Sequence, residues 1–479
     1  MTLINNVLLC ILFAVNLNFC FCITRVYFSK CAVGGFTCTV RPVSRNISFL
    51  NLTYQCPSGV DDVLIMINQF SSPTNAESLL IQNCRRLTIS VRCSSERKLI
   101  RSVHIRNIGT LSIQRLPFHS HLPQEVALEN IGYIEDIPSF TFSQIDKSVY
   151  TTGCVLPRDD FRTISLKNLK IDTVQSNGFY VPNGFGNITF TNVTINRLQS
   201  SAVVAKIKKS GEFLMEKSTV EVAEHLALRL FTEKATFKQS SFVEISSGGI
   251  NGTIESLYFM NNSVNALQPH AFSIFSGKVQ ISHNRFEYLK SGSLEKISPG
   301  MMETSNLNFG KLKFDYEFTG NAINFMDAGC LHPDTEAYEN VASDIVFQEN
   351  VVLCSCDNSA WIFSQIGHGY NTALLRSFYE SILDPASKNT CSSYCELPIS
   401  FSRNMIEDGN CFENVTTEKL CEMNDNDTSK NTSALSSSLN ELEEIVIMGS
   451  MLPMSSTGGI ISFFCVQVFI FSGILILNL

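Results

Sequence analysis

The stretch Phe259-Met-Asn-Asn-Ser-Val264-Asn-Ala-Leu267, followed by Ala271-Phe-Ser-Ile-Phe275, Ser276-Gly-Lys278 and Val279-Gln-Ile281, decides the fold. It holds three short runs of alternating apolar residues, separated by Asn-Asn, Gln-Pro-His and Ser-Gly-Lys. Alternation with period two marks a β-strand, and Gly, Asn and Pro supply the turn geometry between strands. From Phe259 the pattern restarts at Ile281, 22 residues on. A unit so short cannot bury its own apolar face and must stack on copies of itself.

Such copies fill the chain. The unit apolar-x-apolar-x-Asn occurs as Leu79-x-Ile81-x-Asn83, Val103-x-Ile105-x-Asn107, Val126-x-Leu128-x-Asn130, Ile164-x-Leu166-x-Asn168 and Ile188-x-Phe190-x-Asn192. Later units shift the Asn by a residue, as in Phe318-Thr-Gly-Asn321, Phe347-Gln-Glu-Asn350 and Phe401-Ser-Arg-Asn404. The second apolar position falls at 81, 105, 128, 166, 190, 214, 237, 259, 281, 318, 347 and 401, mostly 22 to 24 residues apart, with insertions at the wider steps. Turn punctuation recurs at Lys209-Ser-Gly211, Thr232-Glu-Lys234 and Asn251-Gly252, each time just before the next unit.

A period in the twenties means a solenoid, and two solenoids share it. A leucine-rich repeat places Asn three residues after the last Leu; Ile254-x-x-Leu257-x-Phe259-x-x-Asn262-x-Val264 satisfies that spacing, but the first five units place Asn two residues on. Three strand-like runs per turn fit a parallel β-helix better. Over roughly residues 76–410 the pattern resembles the right-handed parallel β-helix of the pectate-lyase-like superfamily. The resemblance implies inward apolar ladders and an Asn ladder lining one turn, and it implies a fold without implying an activity. The expected class is all-β, a right-handed parallel β-helix solenoid with disulfide-rich N- and C-terminal caps. Asn83, Asn107, Asn130, Asn168 and Asn192 are expected as a buried structural ladder of hydrogen-bonded amides.

The 17 cysteines are unevenly placed. Cys31, Cys38, Cys56, Cys84 and Cys93 lie toward one end of the solenoid, and Cys330, Cys354, Cys356, Cys391, Cys395, Cys411 and Cys421 toward the other, with Cys154 between. Disulfides suit the terminal units of a solenoid, which expose an unpaired apolar face and must be capped. Connectivity is not legible; the short loops Cys84–Cys93 and Cys411–Cys421 are plausible pairs. The spacing Cys354-x-Cys356 with Cys391-x3-Cys395 does not match the usual zinc pairs, and no metal or cofactor is expected.

The ends point to the cell exterior. A short apolar run, Val7 to Val15, precedes Cys20 and Cys22 at the −3 and −1 positions of a secretory cleavage site, giving a signal peptide at 1–22. Ile460 to Leu479 form an uncharged tail with no basic residue after it. This suits a glycolipid (GPI) attachment signal within 450–479, with Gly449 and Ser450 as the attachment candidates; a single spanning helix is the alternative. Between the ends stand nine N-x-S/T sequons, at Asn46, Asn51, Asn187, Asn192, Asn251, Asn261, Asn414, Asn426 and Asn431. Residues 23–75 read as a Cys-containing cap and 411–449 as a polar, glycosylated stalk.

Composition narrows the function. The chain has 479 residues, 44% hydrophobic and 17% charged, with net charge −8 and no basic run. That disfavours nucleic acid. Gly367-His368-Gly369 resembles the His element of polygalacturonases, but Asp159-Asp160 precede His368 by 208 residues. At ~4.8 Å per rung this is ~40 Å, while an acid–base pair must meet across one sugar. Asp61-Asp62 is the other Asp pair, and His225, His270 and His283 are expected in polar turns or facing solvent. The expected protein is not an enzyme. It is a glycoprotein on the outer face of the plasma membrane whose solenoid face binds an extracellular protein or glycan; polysaccharide cleavage is the alternative.

Overall fold

The structure is a computed structural model that describes residues 23–27, 36–44, 47–67, 75–91, 101–114, 124–143, 163–207, 210–300, 313–331, 342–354, 358, 361–362, 373–392 and 397–400. It is a parallel β-solenoid. Between Phe142 and Pro299 the chain lays β-structure on each of three side faces, and these strands pair in parallel from coil to coil, while Phe36–Ser44 with Ile47–Gln55 at one end and Thr390–Cys391 with Leu397–Pro398 at the other pair antiparallel. On the first face the inward register runs Ile81, Ile105, Leu128, Leu166, Phe190, Met215, Phe237, Phe259, Ile281, Phe318 and Phe347. The wider sequence steps do not interrupt it, since Leu128 pairs directly with Leu166.

One repeat position is corrected. Met215 pairs with Phe190 and is fully buried, whereas Leu214 pairs with Thr189 and is half-buried. Phe401-Ser-Arg-Asn404 lies outside the described residues; the rung after Asn350 is supplied by Asn389.

The core is one continuous cluster. A spine of phenylalanines runs through it: Phe142 on Phe179 at 4.8 Å, Phe190 on Phe213 at 5.8 Å, Phe213 on Phe237 at 5.4 Å, and Phe318 on Phe347 at 5.0 Å. Stacking near-identical coils brings like residue above like, so each ring finds an aromatic neighbour at a favourable separation. The helix Ala373–Leu383 ends the spine, setting Phe378 against Phe347 at 5.9 Å.

The corner between the first and second faces explains the asparagines. The third residue of each turn is left-handed: Asn83, Asn107, Asn130, Asn168 and Asn192 have φ between 53° and 60°, and Lys217, Gln239, Asn261, His283 and Gly320 continue the column. Asn tolerates this region better than other L-residues. The five asparagines do form a ladder, each Nδ2 donating to the preceding Oδ1 at 2.9–3.1 Å, but it is not buried: the column lies at the surface. The expectation of burial is wrong for these five residues; a buried amide ladder lies one residue further along, in a different set.

That next position points inward. It reads Cys84, Ile108, Ile131, Leu169, Val193, then Ser218, Ser240, Asn262, Asn284, Asn321, Asn350 and Asn389. In the first half the corner stays in the main-chain ladder, so the strands Glu125–Ile137, Thr163–Val174 and Asn187–Leu198 run unbroken around it. In the second half the strands stop on each side, as at Ile250–Met260 and Ser263–Leu267, and the corner N–H loses its main-chain partner. A buried N–H must be satisfied. Side chains of the next coil do this: Asn262 N donates to Asn284 Oδ1 at 2.8 Å, and Asn321 N to Asn350 Oδ1 at 2.9 Å.

The disulfides are Cys56–Cys84 and Cys354–Cys391, near the two ends of the solenoid. The suggested Cys84–Cys93 pair is therefore wrong: Cys84 faces inward at its corner and meets Cys56 from the coil before. Cys354 pairs with Cys391 across the coils. Cys330 is a buried free thiol. Cys38 lies in Phe36–Ser44; Cys31, Cys93, Cys154, Cys356, Cys395, Cys411 and Cys421 fall outside the described residues, as do 1–22, the stalk, Gly449, Ser450 and the terminal tail. Among the described residues no helix is long and apolar enough to cross a membrane.

Candidate functional site

The outer side of the second face carries the most unusual surface. In most β-strands one outward residue separates two inward ones. Here two do. Thr219–Ala223, Ser241–Ile245, Ser263–Leu267 and Arg285–Leu289 each place an adjacent pair outside between buried residues, such as Val243-Glu244 and Glu287-Tyr288. The pairing passes over one residue at the same place in both strands of each pair, so the register is kept from coil to coil.

Of the four large hydrophobic side chains exposed among the described residues, three lie on this face: Tyr133 at 37%, Val243 at 43% and Phe325 at 46%. Phe325 stacks with Tyr288 of the preceding coil at 6.1 Å. Tyr288 donates its hydroxyl to Asp327 Oδ1 at 2.8 Å, and Lys290 Nζ stands 3.8 Å from its ring centre. Beside them Asn324 Nδ2 donates to Glu287 Oε2 at 2.6 Å, and Arg285 approaches the same carboxylate at 3.8 Å. The result is an aromatic pair held rigid within a rim of both charges.

Toward the other end, Asp136 and Asp172 are tied down by neighbouring coils. Gln175 Nε2 donates to Asp136 Oδ2 at 2.6 Å, and Asn196 Nδ2 to Asp172 Oδ1 at 2.7 Å. Desolvation, reinforced by Glu135, pushes the Asp136 carboxyl up, and the Gln175 bond opposes this. Among the described residues no group of three or more His, Cys, Asp and Glu is placed to hold a metal ion.

The residues singled out from sequence lie elsewhere. Asp61 and Asp62 pair with Arg85 and Arg86 at 2.8 and 3.6 Å. His270 and His283 occupy left-handed turn positions, His270 beside Glu295 at 3.1 Å, and His225 Nδ1 lies 2.6 Å from the Ser247 carbonyl. Asp159, Asp160 and Gly367-His368-Gly369 fall outside the described residues. So do Asn46, Asn414, Asn426 and Asn431. The described sequons avoid the second face: Asn51 and Asn187 belong to strands of the first, Asn251 to the third, and Asn192 and Asn261 to the corner. Sequence reading missed the doubled outward positions, whose only trace is two non-core residues in a row within a strand.

That corner carries the second feature, an open trough of about 540 Å³. Lys217, Gln239, Asn261, His283 and Gly320 form one wall, and Ser218, Ser240, Asn262 and Asn284 the floor. No family model and no curated protein matches this chain.

Proposed function

We propose that this chain is a non-enzymatic extracellular glycoprotein whose second solenoid face binds a partner outside the cell. The observation that carries the reading is the coincidence on one face of Tyr133, Val243 and Phe325 with the absence of any described sequon. Exposed aromatic and aliphatic residues ringed by Arg, Lys, Asp and Asn are the composition of a protein-binding surface, and a face whose strands bear no described sequon asparagine leaves those residues within a partner's reach. The two disulfides fit an oxidising compartment. In this reading the chain is secreted, loses residues 1–22 and is held on the plasma membrane through 450–479, by a glycolipid or a spanning helix. The three-stranded coil and the stacked amides support kinship with the pectate-lyase-like superfamily, and that kinship carries no activity.

The test is adhesion of cells displaying the full chain to cells that lack it. Phe325→Glu and Val243→Glu should abolish adhesion at equal surface amounts. Phe275→Glu, on the third face, should not. Equal adhesion by all three would refute the face. Protease treatment of the partner cells separates a protein partner from a glycan. Release by phosphatidylinositol-specific phospholipase identifies the glycolipid anchor, and retention identifies the helix.

A further inference from the structure

We infer that Asn261 carries an N-linked glycan whose core sugars lie along the trough at the first corner, so that the chain fills this trough itself. The inference rests on the secretory reading above, because only lumenal chains meet the transferase.

Asn261 stands at the centre of the trough. The left-handed column that forms one wall runs Lys217, Gln239, Asn261, His283, Gly320, with two coils on each side of Asn261. At ~4.8 Å per coil the wall extends ~19 Å. Ser263 provides the hydroxyl that completes the sequon and lines the opposite side. The earlier asparagines of the column use their amides on one another, whereas the exposed Asn261 side chain makes no hydrogen bond among the described residues. Its Nδ2 is therefore open to modification without loss of a structural bond.

The chemistry of the trough suits sugar. Its lining is hydroxyl, amide, imidazole and two cations, with no carboxylate. The buried floor amides are already satisfied coil to coil, so a ligand meets the outer hydroxyls of Thr219, Ser241 and Ser263 and the ends of Gln239 and Lys217. Gly320 has no side chain to close the end. Asn192 supplies the contrast in the same column: it precedes Val193, where the strand runs unbroken around the corner, and no trough residue flanks it on the N-terminal side.

Attachment is a group transfer. Asn261 Nδ2 attacks the anomeric carbon of an oligosaccharide linked to a lipid pyrophosphate. The C–N bond forms, the C–O bond to phosphate breaks, the lipid pyrophosphate leaves, and the amide gives up one proton and keeps the other.

The experiment uses the full chain made in secreting animal cells. Glycopeptide mass spectrometry should find sugar on Asn261. Glycoamidase should release the Asn192 glycan from the folded protein but the Asn261 glycan at least about tenfold more slowly, with the difference vanishing on denaturation. Asn261→Gln and Ser263→Ala should lower the melting temperature alike, since each removes the sugar and the second keeps the asparagine. Sugar on other sequons but not on Asn261 overturns the inference. Equal release at Asn192 and Asn261 overturns the seat. Sugar on no sequon overturns the secretory reading instead.

Discussion

Asn284 and Asn321 are joined by two hydrogen bonds to one oxygen: the main-chain N–H of Asn284 and its Nδ2 reach the Asn321 Oδ1 at 2.9 and 3.0 Å. The same Nδ2 also donates to the Phe259 carbonyl at 2.8 Å, and the Asn284 Oδ1 receives the Asn262 N–H. Each asparagine of this column thus substitutes for the main-chain ladder at the corner and locks one coil to the next.

Asn284→Ala should therefore be costly. It strands the Asn262 N–H and the Phe259 carbonyl in the interior, at ~1–3 kcal/mol for each unsatisfied group. Asn107→Gly, in the exposed column, should stay within about 0.5 kcal/mol, because glycine keeps the left-handed turn. Urea unfolding of the two variants compares them directly. A similar loss in both would mean that burial does not separate the two ladders.

The phenylalanine spine predicts a steep contrast between inside and outside. Phe259→Ala removes a fully buried ring that touches Phe237, Phe272 and Phe286, and should cost about 3–5 kcal/mol. Phe275→Ala, on an exposed ring, should cost no more than about 0.5 kcal/mol. Secretion yield and urea midpoints both report the difference, and a stable Phe259→Ala protein would contradict the stacked core.

Peptide mapping without reduction should recover Cys56 linked to Cys84 and Cys354 linked to Cys391, and no Cys84–Cys93 peptide. Loss of either bond by Cys→Ser should cost ~2–5 kcal/mol. Cys330 behaves differently. Burial, and then the Asp327 carboxylate, push its thiol well up, so it stays protonated and shielded. Iodoacetamide should label it only after unfolding; rapid labelling of the folded chain would place it at the surface.

Asp136 sets a pH dependence of definite sign. Its carboxyl is raised above the ordinary 3.8, so the folded state holds this proton more tightly than the unfolded state. Its contribution favours folding below 3.8 and is lost as pH rises through the raised folded value. Asp136→Asn keeps an oxygen for Gln175 and removes the charge. It should melt higher than the wild type at pH 7, with the gap closing on acidification. A gap that widens in acid would reverse the assigned shift.

The sequence by itself determined the solenoid. Alternation within Val279-Gln-Ile281 or Ile188-x-Phe190 is a local property of a strand, and its return every 22 to 24 residues reports the stacking without any coordinates. It also determined that Asn83 to Asn192 bond to one another, because equal spacing puts like above like. Only the tertiary structure decided which amides are buried. That depends on whether the main-chain ladder continues round the corner, as at Leu169, or breaks, as at Asn262, and a break is a matter of how successive coils register. The same registration turned Cys84 toward Cys56 instead of Cys93, moved the inward position from Leu214 to Met215, and set Val243 and Phe325 on one outer face. Those outcomes rest on contacts between residues a whole coil apart, where chain order gives the neighbour's identity and only packing gives the side it presents.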